Sequence, residues 1–342
     1  MEKRMDIHQL SSIEDLENHP LKYALSAFID GHPASNFFQG LIHFEFSQDI
    51  PESKPILIFA NEGDRVTGSL QGTIQSNGNG LKSWLSRRII VWGGPLVEEG
   101  SSSVLNALLD ELHRFAAGKA LFIEFRNAFD TSRWHDVFAN AGYEYRPHLN
   151  YLVKTDTQEL VKQRMSKSRW RQIQSSLKNG AEIVEPENEN DVMAFYQILL
   201  KLYEEKVKKP LYAPDFFLKF WKSKSGKIFL VKKNGEVLGG IVCPIHRNRI
   251  IYEWYVCGED GKEKGISPSV LATWAPIEYA LQNGLDHFDF MGAGQPDQAY
   301  SVRDFKERFG GDQVCYGRYH LIVNKALYQV GKLGLRVYQK VM

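Results

Sequence analysis

The chain has 342 residues, 43% hydrophobic and 24% charged, enough for a sizeable core and long enough for two domains more readily than one. Forty-two basic residues balance 41 acidic ones, which argues against a protein coated in positive charge and leaves any anionic partner to be met by a local basic stripe. Cys243, Cys257 and Cys315 are odd in number and far apart, which argues against a disulfide framework or a paired-cysteine zinc module and fits a reducing compartment. The start "MEKRMDIHQLSSIEDLENH" has no apolar signal region, and no run reaches the roughly 18 apolar residues of a membrane span. The expected location is therefore the cytoplasm.

In chain order, "PILIFANEGDRVTGSLQGTI" (55–74) is an apolar run, a polar turn around Gly63 and a second apolar run, which predicts a β-hairpin. "RRIIVWGGPLV" (87–97) is dense in β-branched and aromatic residues and reads as a central strand. "SSVLNALLDELHRFAAGKALFIEF" (102–125) then gives a helix with an apolar stripe, a glycine near its end and a short strand. The same order returns later: hairpin "KIFLVKKNGEVLGGIVCPI" (227–245), strand "RIIYEWYVCG" (249–258), and helix and strand "PSVLATWAPIEYALQNGLDHFDFM" (268–291). The two helix–strand stretches align without a gap at a constant offset of 166 residues, pairing Ser103 with Ser269, Leu105 with Leu271, Gly118 with Gly284 and Phe122 with Phe288. A duplication follows, with domains at 1–156 and 157–342 and a polar boundary at "VKTDTQELVK".

H-E-x-x-H, G-x-S-x-G, G-x-x-x-x-G-K-[ST] and C-x-x-C are all missing, which makes zinc-dependent hydrolases, α/β-hydrolases and P-loop enzymes poor fits. "MSKSRWRQIQSSLKNGAEI" (165–183) is an amphipathic basic helix stopped by Gly180, and a solvated face accounts for it without a ligand. In "GKEKGISPSVLATW" (261–274) a loop with Lys262, Gly265 and Ser267 enters a helix with Ser267 at N-cap and Pro268 at N1. Free amides there attract phosphate. The spacing is similar to a degraded form of the loop with which GNAT acetyltransferases hold coenzyme A, and a plain helix cap fits equally well. The tail 323–342 carries Lys325, Lys332, Arg336 and Lys340 opposite an apolar side, so it either lies on an anionic membrane surface at the inner face or docks on its own protein.

The doubled pattern, the basic helix, and "FDFMGAG" followed by "VRDFKERFGG" together resemble the Fem (FemABX) peptidoglycan-bridge aminoacyltransferases. The sharpest element is a glycine-ended strand followed by Phe305-Lys306-Glu307-Arg308-Phe309-Gly310. The resemblance implies an α/β (α+β) fold of two tandem GNAT-like domains, each a mixed sheet flanked by helices, of the compact kind without a helical arm. It implies transfer of an aminoacyl group from aminoacyl-tRNA, as co-substrate, to an amine of a lipid- or nucleotide-linked muropeptide, with no metal or redox cofactor. The alternatives are an acyl-coenzyme A-dependent N-acyltransferase, with Lys262, Gly265 and Ser267 on the cofactor, and a non-catalytic protein of the same fold.

The resemblance carries the donor end and reaction centre to Phe305 and Lys306. Asp289 alternates with Phe288 and Phe290 and is a candidate proton acceptor or a structural hydrogen-bonder. Gly292 and Gly294 let backbone approach substrate where a side chain would block it. Further substrate-binding candidates are Arg303, Tyr252 and Tyr255, Lys208 and Lys209, and, in the first domain's "ASNFFQ", Asn36 and Gln39.

Overall fold

The computed structural model describes residues 4–76, 80–84, 86–223 and 225–329. Two compact units emerge, one of residues 1–147 with 316–342, the other of residues 148–315. The expected boundary at 156/157 therefore shifts. Strand Leu149–Lys154 hydrogen-bonds into the second unit's sheet and strand Arg318–Ile322 into the first unit's, and ladder pairing overrides the polar boundary. Lys332, Arg336 and Lys340 of the basic tail lie outside the described residues.

In the first unit the sheet order is 5–10, 53–62, 65–75, 88–93, 122–127, 318–322 and 144–146, with 96–97 on the third strand. The predicted hairpin is Ser53–Glu62 with Arg65–Gln75, turning at Gly63 with φ +64°. Strand β1 (Arg88–Gly93) runs parallel to β2 (Phe122–Asn127), joined by helix α1 (Ser102–Ala116). Val104, Leu105, Leu108, Leu109 and Leu112 recur at helical spacing, so one face of α1 is buried on the sheet.

The second unit repeats the scheme in the order 312–315, 149–154, 287–289, 250–252, 236–246, 226–233 and 182–184. Here β3 (Leu149–Lys154) leads to helix α2 (Lys167–Lys178), and strand β4 (Glu236–His246) pairs with β5 (Ile250–Tyr252) and separately with β6 (Tyr255–Gly258). Helix α3 (Pro268–Asn283) crosses to β7 (His287–Asp289), parallel to β5, and helix α4 (Ser301–Glu307) follows. Ser267 is the N-cap of α3, Pro268 opens it and Gly284 ends it in the left-handed conformation, as the sequence indicates. Each unit thus joins two parallel strands through a helix, and the aligned Leu105 and Leu271 are both fully buried.

Leu105→Ala and Leu271→Ala should each lower unfolding free energy by about 2–5 kcal/mol in denaturant titrations, as equivalent core positions; a neutral result at either would break the equivalence.

Candidate functional site

Parallel strands β5 and β7 part company at one point. Their ladder runs from Ile250↔His287 to Tyr252↔Asp289, the Glu253 amide donates once more to the Asp289 carbonyl at 2.9 Å, and there it stops. Beyond, Trp254 N donates to Val242 O at 2.9 Å and β6 pairs with β4 alone. The sheet of the second unit is therefore open on one side of residues 254–258. A carboxylate stands at the apex of that opening.

Glu253 is 7% exposed, as is Lys306, and Glu253 Oε1 lies 2.8 Å from Lys306 Nζ. The ammonium also donates to Phe290 O and Gly292 O, each at 2.8 Å, which uses all three of its hydrogens. Lys306, the sequence's candidate for meeting developing charge, thus anchors the loop after β7 and compensates Glu253. Glu253 Oε2 makes no hydrogen bond among the described residues although it is buried. An unmet buried carboxylate oxygen is costly unless something comes to it. Burial pushes the Glu253 carboxyl above its usual range, with Lys306 pulling against it.

Asp289, 4% exposed, lies opposite Phe288 and Phe290 as alternation requires, those two rings being in the core. Its Oδ1 accepts from Asn150 Nδ2 at 2.7 Å and from Met291 N at 2.6 Å, while Asn150 Oδ1 accepts from Gly292 N at 2.7 Å. This clamp holds Met291 at φ +56°, a conformation costly for a side-chain-bearing residue, and Gly292 at φ +132°. A Cβ on Gly294 would come 2.8 Å from the Tyr300 ring. Burial raises the Asp289 carboxyl despite those donors. Its partners make it the structural hydrogen-bonder of the two roles open to it.

Other candidates resolve by contact. Phe305 is half-buried against the core, with the Arg169 guanidinium 4.3 Å from its ring and Arg169 Nη2 donating to its carbonyl at 3.0 Å. Arg303 spends its guanidinium on the carbonyls of Ala293, Gln295, Pro296 and Gln298, so it braces the loop rather than offering a free cation. Tyr252 is buried, and Tyr255 packs among Tyr203, Phe216, Phe217 and Trp254 beside the opening. Lys208 and Lys209 are exposed beyond a π-helical turn at Tyr203–Val207.

The loop at 261–267 has partners within its own unit. Ser269 N and Oγ both donate to Asp260, Ser267 N donates to Ser176 Oγ at 2.9 Å, and Gly265 O accepts from Ser175 Oγ at 3.0 Å. Lys262 is bound by Glu236 and Glu259. Two of the amides at this helix start are thus answered by a carboxylate and a hydroxyl.

In the first unit the matching break falls at Gly94-Pro95, where no titratable side chain stands. Asn36 donates to Gly93 O, and Gln39 donates to the carbonyls of Gln71 and Trp92 and accepts from Gln71 N at 2.7 Å. A Cβ on Gly93 would fall 2.1 Å from Asn36 Oδ1. Both side chains are buried fasteners that close the break, not free substrate ligands. Glu253 and Asn150 escaped the sequence reading; the signal for Glu253 was a lone acid inside the run "RIIYEWYVCG".

Residues 164–307 match the family model described as acetyltransferase (GNAT) domain. No curated protein sequence matches the chain. Among solved structures the chain is similar to FemX, at 15% identity and a TM-score of 0.69 over 94% of this chain and 99% of that one. It is similar to L-PGS from Bacillus licheniformis, at 16% identity and 0.57 over 95% and 96%. It is also similar to a tandem GNAT protein from the clavulanic acid biosynthesis pathway, at 12% identity and 0.61 over 94% and 99%. Residues 164–307 of the second unit thus match a GNAT acetyltransferase domain, and the whole chain shares the fold of the tandem GNAT protein. The fold is also that of FemX, in agreement with the sequence resemblance.

Lys306→Met should cost about 3–5 kcal/mol of stability, because it strands a buried carboxylate, while Lys306→Met with Glu253→Gln should cost clearly less; additive losses in urea titrations would refute the pairing. Asp289 is raised in the folded chain, so the native state keeps a proton that the unfolded state has lost. Stability should then fall as pH rises above about 4, the ordinary carboxylate value. Asp289→Asn should flatten that slope in denaturation midpoints, and an unchanged slope would remove Asp289 as its source.

Proposed function

We propose that this acyltransferase is of the Fem type and passes an aminoacyl group from the 3′ end of aminoacyl-tRNA to an amine of a lipid- or nucleotide-linked muropeptide. The observation that carries the reading is the unpartnered Oε2 of Glu253 at the apex of the sheet opening, beside the Lys306 ammonium. The amine attacks the ester carbonyl, a C–N bond forms, and the C–O bond to the ribose breaks. Glu253 takes the proton that the amine sheds and returns it to the ribose oxygen, which leaves as a hydroxyl. Trp254 and Tyr255 wall the opening, and the backbone at Gly292 and Gly294 allows close approach of the acyl group.

The choice of donor is supported by the α3 start, whose amides Asp260 and Ser176 already satisfy, leaving a coenzyme A diphosphate without its usual seat. Coenzyme A is the second reading, favoured by the GNAT domain match itself. The acceptor is supported by the likeness to FemX, while the likeness to a putative lysylphosphatidylglycerol synthetase domain from Agrobacterium fabrum points to a lipid-borne acceptor as the variant of the same reaction. Among the described residues no helix is long and apolar enough to cross a membrane, and we place the reaction in the cytoplasm, with the tail 323–342 as a peripheral contact at the inner membrane face.

Calorimetric titration with acetyl-coenzyme A and, separately, with a charged acceptor-stem RNA should give saturable binding of the RNA; saturation by coenzyme A alone would overturn the donor. In transfer assays Glu253→Gln should lose about 10²–10⁴-fold in rate. Wild-type activity should rise with pH as that raised carboxyl loses its proton. Lys306→Ala should lose at least about tenfold, or about 1.4 kcal/mol of barrier. A folded Glu253→Gln variant with wild-type rates would remove the proton acceptor.

A further inference from the structure

Between residues 160 and 181 the chain has no Asp or Glu but carries Lys162, Arg164, Lys167, Arg169, Arg171 and Lys178. Helix α2 sorts them. Arg169, Ile173 and Ser176 are buried toward the protein, whereas Lys167, Arg171 and Lys178, at i, i+4 and i+11, fall on the opposite, exposed face with Gln174 between them. The stripe is about 16 Å long at the rise of an α-helix. None of the ion pairs among the described residues includes Lys167, Arg171, Lys178 or Arg308. Elsewhere on this unit lysines such as Lys227, Lys232, Lys233 and Lys262 are matched to carboxylates. The stripe is an uncompensated field on a chain whose net charge is only +1.

The stripe leads to the site. Ser166 N, at the N-cap of α2, donates to Arg308 O at 3.0 Å, just past α4. The buried side of α2 reaches α4 through Arg169, whose guanidinium stands 4.3 Å from Phe305 and 4.7 Å from Phe309. Burial, and after it the charge of Arg308, lower Arg169 to about 10. A polyanion lying along Lys178, Arg171 and Lys167 would therefore arrive at the helix that carries Phe305 and Lys306.

We infer that this face of α2 is the track on which the phosphate backbone of the donor RNA lies, an inference that rests on the aminoacyl-tRNA reading above. A polyanion matches the stripe by charge. Gln174, exposed among the cations, and Ser168 beside them supply an amide and a hydroxyl for contact with phosphate and sugar. A lipid surface fits less well, because it calls for an apolar face beside the cations. The apolar side of α2 is turned inward, Trp170 packing on Trp274 at 5.6 Å, and Leu177 is the large apolar side chain that α2 leaves exposed.

The test is fluorescence anisotropy with an uncharged acceptor-stem RNA hairpin, titrated at several salt concentrations. A Lys167→Gln, Arg171→Gln, Lys178→Gln variant should bind at least about tenfold more weakly, and the slope of log K against log salt should fall by about 2–3, at roughly 0.7–0.9 per lost phosphate contact. A control variant, Lys54→Gln, Lys119→Gln, Lys201→Gln, removes the same charge elsewhere and should keep the wild-type slope. Unchanged binding by the stripe variant overturns the inference, as does loss of binding to phosphatidylglycerol vesicles with RNA binding intact. Stripe-dependent RNA binding without aminoacyl transfer would instead contradict the proposed reaction and leave the track standing. Transfer from charged RNA with an indifferent stripe would do the reverse.

Discussion

The buried pair of Glu253 and Lys306 is the constraint on which the second unit's chemistry depends. Two charges removed from water gain little unless their remaining hydrogen-bonding capacity is met. Lys306 meets its own by taking the carbonyls of Phe290 and Gly292, so the ammonium fixes the loop leaving β7 and the carboxylate at the sheet opening together. Glu253 keeps one oxygen unmet. That imbalance is what the proposed reaction draws on.

The two halves of the chain show how a duplicated architecture can diverge at one place. Both open their sheet beside a pair of parallel strands joined by a helix. In the first unit Asn36 and Gln39 answer the free carbonyls and close the gap. In the second a carboxylate, an ammonium, and the Asp289–Asn150 clamp that strains Met291 keep it polar and open. The same economy appears at the start of α3, where Asp260 occupies amides that a phosphate would otherwise use.

Much of the fold was legible in the sequence because local rules and tertiary structure agree. The hairpins, α1 and α3 with their glycine ends, and the 166-residue offset all follow from periodicity and turn chemistry. The domain boundary was not, since β3 and the strand at 318–322 take their places through long-range ladder pairing that local composition does not record. At the site, Lys306 and Asp289 were visible through their motif, but the three partners that hold Lys306 were not. Glu253 was hidden because a charge within an aromatic strand declares itself only when the break at 253–254 shows which neighbour it has lost. Arg303, Asn36 and Gln39 looked like ligands by residue type and proved to be fasteners by partner.

A crystal structure with an acceptor-stem RNA bearing a hydrolysis-resistant aminoacyl group would test the central claim most directly. The acyl carbonyl should lie in the opening beyond Glu253 and Asp289, with Glu253 Oε2 within hydrogen-bond reach of the position an attacking amine would take. An acyl group seated elsewhere, with Glu253 remote from it, would contradict the assignment of the reaction to this opening.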